Sequence, residues 1–146
     1  MSFVLDSSVA LGWVYFDERT PAALALFDRV VQTGAWVPSI WHLEIANSLQ
    51  LSVKRGRVDA TFRDQSLADL VQLNIAVDGE TQVFAWTATI ALADRFRLTL
   101  YDACYLELAQ RRELPLATLD RELRAAGGTL GLELLGDERA TASQAI

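Results

Sequence analysis

Residues 3–8 read FVLDSS, a short apolar run that ends directly in an acid and two serines. Residues 114–120 read LPLATLD, in which another apolar run leads into another acid. Two further apolar runs occupy residues 35–37 and 74–77, and a weaker fifth occupies residues 132–135. Short apolar runs that are bounded by turn or cap residues are typical of buried strands, so the sequence predicts four to five strands.

Longer segments with apolar residues at helical spacing lie between these runs. They begin at residues that start or cap helices, namely Thr20-Pro21, Ser39, Asp59, Gly79, Thr99 or Asp102, and Asp120. Strands that alternate with helices indicate βαβ units. We therefore predict one α/β domain over residues 1–135, with a central, mostly parallel sheet flanked by helices on both faces. Residues 136–146 are small and polar, and we expect them to fray.

The helical spacing also predicts which side chains face the core. The expected buried positions of three helices are Leu43, Ala46, Leu49 and Val53; Phe62, Leu67, Leu70 and Val71; and Val83, Trp86, Ile90 and Ala93. All four tryptophans are expected to lie mostly in the core. An exposed Trp13 or Phe16 would instead indicate a protein interface.

The composition restricts the class of protein. The chain has 146 residues, close to the roughly 150 of an average domain, and 13 basic against 19 acidic side chains give a net charge of −6. This balance argues against non-specific coating of nucleic acid, although it allows a local basic strip. One cysteine and one histidine exclude a disulfide framework and a zinc site built from several of them. Without a signal peptide or a run of ~20 apolar residues, we expect a cytoplasmic protein with no membrane span.

Four acids occupy positions that a parallel sheet brings together. Asp6 and Asp120 follow strands, Asp102 lies at a helix start, and Glu44 lies one turn into a helix within an otherwise apolar segment. Ligands of such sheets bind outside the carboxyl ends of the strands, so these acids are expected to face one crevice. Each acid also has a structural explanation, because Asp is a preferred N-cap and Glu44 fits an exposed position or the positive end of its helix dipole.

A cluster of four carboxylates needs a cation. Two carboxylates about 4 Å apart repel by roughly 4 kcal/mol at an effective dielectric of about 20. We expect His42 to pack beside Trp41 and Cys104 to be buried, which leaves oxygen ligands alone. Oxygen ligands favour a hard ion such as Mg²⁺ or Mn²⁺. Such an ion activates water and stabilises charge on phosphate oxygens, so the pattern favours phosphate ester cleavage.

The acids lie in four blocks of sequence, which read VLDSSV at 4–9, EIANSL at 44–49, YDACYLELA at 101–109 and LATLDREL at 116–123. In order and spacing, these blocks resemble the PIN-domain ribonucleases, and among them most of all the VapC toxins of bacterial toxin–antitoxin pairs. The resemblance covers nearly the whole chain. It implies a PIN-like fold and a Mg²⁺- or Mn²⁺-dependent endoribonuclease that cleaves tRNA or rRNA by metal-activated water.

The resemblance assigns catalysis and metal binding to Asp6, Glu44, Asp102 and Asp120. It assigns contacts with these acids or with the substrate to Ser8, Asn47 and Thr118. The spacing supports Asn47 independently, because residues i and i+3 share a helix face. Arg121 and Arg124 are candidate RNA contacts on the helix that starts at the proposed metal site. The family also implies a homodimer and a small cognate antitoxin that fills the active-site groove.

Two other interpretations stay open. One is another Mg²⁺-dependent phosphoesterase, although a phosphatase of the haloacid dehalogenase type needs Asp-x-Asp after the first strand, where this chain has Asp6-Ser7-Ser8. The other is a non-catalytic, dimerising α/β binding module, against which the four retained acids argue. Metal titration separates the two, because only the phosphoesterase needs a bound cation.

Overall fold

A parallel sheet forms the centre of residues 2–137, which are the residues that the computed structural model describes. Its strands are β1 Val4–Leu5, β2 Ala35–Val37, β3 Ile75–Val77, β4 Leu116–Ala117 and β5 Leu134–Leu135. All neighbouring strands pair in parallel, in the order β3-β2-β1-β4-β5. The predicted α/β architecture is confirmed, including the weak fifth strand. The tail that was expected to fray lies, from residue 138 onward, outside the described residues.

Helices connect the strands and carry most side chains of the site. Within residues 2–137 they are α1 Ser7–Val14, α2 Pro21–Thr33, α3 Trp41–Lys54, α4 Ala60–Leu70, α5 Thr81–Phe84, α6 Ala88–Phe96, α7 Leu100–Arg112 and α8 Arg121–Thr129, with a short 3₁₀ helix at Phe16–Glu18. Side-chain N-caps confirm four predicted helix starts, at Thr20, Asp59, Thr99 and Asp120. None of the described helices is long and apolar enough to cross a membrane.

Helix α1 has no counterpart among the predicted helices. It follows β1 directly and buries Val9, Ala10, Gly12 and Trp13. A helix that is buried over much of its surface lacks the polar face that gives a periodic pattern, and glycine and valine lower its intrinsic propensity. Packing against α2 and α3, rather than local preference, therefore accounts for α1.

The apolar stripe of α3 matches the prediction at Leu49, which is buried, but not at Leu43, which is 74% exposed. Trp41 and Ile45 are buried on this helix instead. The helix is apolar on two sides, so two different sets of positions satisfy a helical period, and tertiary packing selects between them. Val71, just beyond the end of α4, is also exposed where burial was expected.

The segment after β3 forms two helices where the sequence predicts one. The backbone leaves helical geometry at Thr87, so α6 has a face of its own and buries Leu92 and Ala93. The prediction of a continuous stripe through Val83 and Trp86 is wrong, because these side chains are 61% and 86% exposed. Trp86 is therefore a surface residue.

The strand order creates a crevice between β1 and β4. The chain runs from β1 to β2 and β3 on one side, and it then returns to β4 and β5 on the other. In parallel sheets, such a reversal leaves a binding crevice at the carboxyl ends of the strands. Asp6 N donates to Ala117 O across this junction, at 3.0 Å. The residues that follow β1 and β4 therefore meet there.

Candidate active site

Asp6 lies directly after β1, at the junction with β4. It is 4% exposed, and its side chain does not cap α1 although it holds the N-cap position. Its Oδ2 accepts hydrogen bonds from Ser8 Oγ at 2.7 Å and from Thr118 Oγ1 at 2.8 Å. Burial raises the pKa of Asp6, the two hydroxyl groups lower it in part, and the charge of Asp120 raises it further.

The two hydroxyl groups are fixed as donors to Asp6 because they accept hydrogen bonds from elsewhere. Leu119 N donates to Ser8 Oγ at 3.0 Å, and Asp120 N donates to Thr118 Oγ1 at 3.0 Å. A hydroxyl has a single proton, so each of these side chains donates it to the carboxylate. The arrangement ties the loop after β4 to the end of β1.

Asp102 and Asp120 begin the two helices on either side of β4. Thr99 caps α7, so the structural explanation of Asp102 as its N-cap is wrong. Burial raises the pKa of Asp102, and the charges of Asp120 and Asp6 raise it further. Asp120 does cap α8, since its Oδ1 accepts from Leu123 N at 3.0 Å. The capping role thus accounts for one oxygen of Asp120.

Glu44 reaches the same region from the first turn of α3. Its Oε1 accepts a hydrogen bond from the hydroxyl of Tyr105. Burial raises the pKa of Glu44, the bond from Tyr105 lowers it in part, and the charges of Asp6 and Asp102 raise it. Tyr105 is not among the predicted site residues, although it follows Asp102 by three residues and so shares its helix face.

Charges within this group of four acids raise the pKa values of Asp6, Glu44 and Asp102, as expected of carboxylates that lie near one another. None of them has an arginine or lysine partner in the part of the chain that the structure describes. Within residues 2–137, however, no group of three or more Asp, Glu, His or Cys side chains is arranged so that it could hold one metal ion.

The donor set nevertheless suits a hard cation. Mg²⁺ is usually bound through one or two carboxylates and completes its shell with water, so it does not need a closed cage of side chains. Cys104 is buried and donates to Tyr101 O, and burial raises the pKa of its thiol. His42 is exposed and lies edge-on against Trp41, with the ring centroids 4.9 Å apart. Neither side chain offers a soft ligand to the crevice.

Asp78, which follows β3, is a buried acid with basic partners. It is 1% exposed, and it accepts from Arg111 at 2.7 Å and from Arg112 at 3.0 Å. Burial alone raises the pKa of Asp78, but the hydrogen bonds and charges of the two arginines outweigh burial and hold the pKa below its usual value. The buried Asp78 is therefore neutralised by two arginines, whereas the buried Asp6 has only hydroxyl groups as side-chain partners.

The remaining predicted residues differ in their surroundings. Asn47 is exposed on α3, one turn after Glu44, and Arg121 is exposed in the first turn of α8. Arg124 is not available in the same way, because its guanidinium donates to Thr118 O at 2.7 Å and to Leu135 O at 2.9 Å. Arg124 therefore holds the ends of β4 and β5 together, and its contact with RNA stays a prediction.

The chain belongs to the PIN domain family, whose model matches residues 3–128. PIN domains are nucleases, generally metal-dependent ones. The matched residues include all four acids and the elements that carry them. No curated protein is significantly similar to the chain.

Several solved structures share this fold, and one of them is a toxin–antitoxin complex. PAE2754 from Pyrobaculum aerophilum is 23% identical with a TM-score of 0.64, over 86% of this chain and 84% of that one. VapBC2 from Rickettsia felis, bound to a DNA fragment from their promoter, is 11% identical with a TM-score of 0.60, over 92% and 97%. A toxin–antitoxin complex from Klebsiella pneumoniae is 17% identical with a TM-score of 0.54, over 82% and 87%. At these identities the likeness is one of fold.

Proposed function

We propose that the chain is a Mg²⁺- or Mn²⁺-dependent endoribonuclease of the VapC toxin type. The observation that carries the proposal is the convergence of four acids, Asp6, Glu44, Asp102 and Asp120, at the crevice between β1 and β4. Three of them have pKa values raised by burial and by one another, and none is paired with a basic side chain within residues 2–137. Perturbed acids in a crevice are typical of catalytic sites.

Hydrogen bonds within the protein hold the acids and leave oxygens available to a cation. Asp6 is held by two hydroxyl donors. Asp120 and Glu44 each use one oxygen for a protein hydrogen bond, and within residues 2–137 no hydrogen bond is made to Oδ2 of Asp120 or Oε2 of Glu44. We assign these two oxygens, with Asp6 and Asp102, to the cation. When bound, a divalent ion supplies activation of water and neutralises charge on the phosphate.

RNA is the proposed substrate, with tRNA or rRNA in the cytoplasm as the expected targets. Arg121 directly follows Asp120, and its exposed charge suits a phosphate beside the site. Asn47, exposed one turn after Glu44, offers an amide to a sugar or a base edge. The net charge of −6 favours a few local contacts over broad electrostatic binding, so the proposal predicts selective cleavage.

A small antitoxin and a second copy of the chain are the proposed protein partners. A toxin–antitoxin complex is among the structures that share the fold. Phe16 is 83% exposed and Trp86 is 86% exposed, and large aromatic side chains of this kind are typical of protein interfaces. Trp13 is buried and is not part of such a surface.

Incubation with total RNA tests the proposal. Purified protein, freed of any partner, is given Mg²⁺ or Mn²⁺ beside an EDTA control, the Asp6→Asn variant and the matched surface variant Asp94→Asn. Discrete fragments that disappear with EDTA and with Asp6→Asn, but not with Asp94→Asn, support the endoribonuclease. Intact RNA with metal bound favours another phosphoesterase, and intact RNA with no metal bound favours a non-catalytic module.

A further inference from the structure

Tyr105 joins the two helices that carry Glu44 and Asp102. Its side chain is 0% exposed, and its hydroxyl donates to Glu44 Oε1. No other hydrogen bond or ion pair within residues 2–137 connects α3 to α7. Tyr105 follows Asp102 by three residues, so the two side chains lie on one face of α7. A single buried hydroxyl thus ties Glu44 to the helix that carries Asp102.

The hydrogen bond restricts Glu44 more than it supports the fold. The ring of Tyr105 fills core space that phenylalanine would also fill, so the hydroxyl is the part that needs a partner. Glu44 is only half-buried in the first turn of α3, where water would satisfy its carboxylate. A glutamate that is free to hydrate occupies several rotamers, whereas one bound to a rigid buried donor loses that freedom.

We infer that Tyr105 is a positioning residue, whose hydroxyl holds Glu44 within the acid cluster so that the second oxygen of Glu44 is available to a divalent cation. The inference rests on the proposed function. Hydrogen-bond partners of ligating carboxylates orient them in metal sites generally. Tyr105 acts through Glu44 and does not itself touch the substrate or the cation.

The test compares Tyr105→Phe with wild type in two measurements. Isothermal titration with Mn²⁺ is expected to show affinity that is weaker by about 10- to 100-fold. Kinetics on the cleaved RNA are expected to show a lower kcat with KM changed by less than about twofold, because Glu44 is not a binding contact for the RNA. Thermal unfolding of each variant confirms that it is folded.

Tyr15→Phe is the matched control. Tyr15 is also buried, and its hydroxyl shares a 2.7 Å hydrogen bond with Ser52 Oγ, farther along the same helix α3. This bond lies outside the acid cluster, so its removal is expected to leave Mn²⁺ affinity and kcat unchanged. Equal losses in Tyr15→Phe and Tyr105→Phe would indicate a general effect of packing and overturn the inference.

A double-mutant cycle shows whether Tyr105 acts through Glu44. In the Glu44→Gln background, Tyr105→Phe is expected to change Mn²⁺ affinity by less than about twofold, since residues that act as a unit are not additive. Full additivity overturns the inference. If wild type binds Mn²⁺ and cleaves RNA while Tyr105→Phe matches it, the inference alone fails. If wild type does neither, the proposed function fails and the inference fails with it.

Discussion

Thr118 Oγ1 donates a 2.8 Å hydrogen bond to Asp6 Oδ2, and it joins two residues that are 112 positions apart in the chain. The same hydroxyl accepts from Asp120 N, so it connects two of the four acids. Parallel pairing of β1 with β4 places both strand ends at one edge of the sheet. The approach of Asp6 to Asp120 is therefore a consequence of strand order, and Thr118 connects the two residues.

Replacing Asp6 by Asn is expected to abolish RNA cleavage while the fold is retained. The amide keeps the shape of the side chain but removes its charge and relieves repulsion from Asp120. The rate of cleavage is compared with that of Asp94→Asn, which alters an exposed acid on α6. Retention of more than about a tenth of the wild-type rate, a loss of only ~1.4 kcal/mol, would contradict the role of Asp6.

Thr118→Val is expected to lower the free energy of unfolding by about 1.5–3 kcal/mol, because the buried Asp6 carboxylate loses a hydrogen-bond donor. Urea denaturation at neutral pH measures the change. Thr89→Val is the matched control, since Thr89 is equally buried but its Oγ1 has no hydrogen-bond partner within residues 2–137. The control is expected to be neutral or stabilising. Equal effects of the two variants would show that the hydroxyl of Thr118 has no special role.

The metal-free protein is expected to lose stability as the pH rises. Burial and mutual repulsion raise the pKa values of Asp6, Glu44 and Asp102 above 3.8, 4.5 and 3.8, so the folded state binds their protons more tightly than the unfolded chain does. Their contribution to stability is complete below these values and is lost as the pH rises through the raised pKa values. In EDTA, Asp6→Asn should therefore gain stability relative to wild type as the pH rises above 3.8.

Asp78→Asn provides the control for this pH dependence. The arginines hold the pKa of Asp78 below 3.8 despite its burial, so its contribution to stability is present above that value and is lost as the pH falls through the lowered pKa. Asp78→Asn should consequently be destabilising at neutral pH, and the difference from wild type should shrink in acid. If the stability difference from wild type changes with pH in the same way for Asp6→Asn and Asp78→Asn, the two acids do not lie in different electrostatic environments.

Mn²⁺ or Mg²⁺ is expected to raise the thermal unfolding temperature of wild type. A ligand at about 100 times its Kd stabilises the folded state by about 2.7 kcal/mol. The increase should be larger near neutral pH than in acid, where protons compete with the cation for the carboxylates whose pKa values are raised. Asp6→Asn should show little or no increase, and a full increase in this variant would place the cation elsewhere.

Much of the fold could be predicted because its signals are local. Thr20, Asp59, Thr99 and Asp120 cap helices where the sequence places caps, and even the weak run at residues 132–135 forms β5. Which side of a helix faces the core could not be predicted in the same way, because it depends on the elements that pack against the helix. Leu43 and Trp86 fit a helical period equally well whether they face the core or solvent, and both are exposed.

The residues of the site also divide into those with a local sequence pattern and those that depend on long-range contacts. Asp6 and Asp120 could be identified because an acid at a strand end is a local pattern, whereas the contact between Tyr105 and Glu44 depends on the approach of α7 to α3. The hydrogen bonds of Arg124 show the same limit, since its charge is visible in the sequence but its carbonyl partners, Thr118 and Leu135, are not. Long-range hydrogen bonds decide which polar residues are free to act.

Anomalous scattering from crystals grown with Mn²⁺ tests the central claim most directly, because it locates the cation without reference to activity. We expect a peak at the carboxyl ends of β1 and β4, bonded to Asp6 and to at least one of Glu44, Asp102 and Asp120. Two results would contradict the proposed metal site. One is the lack of a peak there at a Mn²⁺ concentration that saturates the thermal shift, and the other is a peak only at acids elsewhere on the surface.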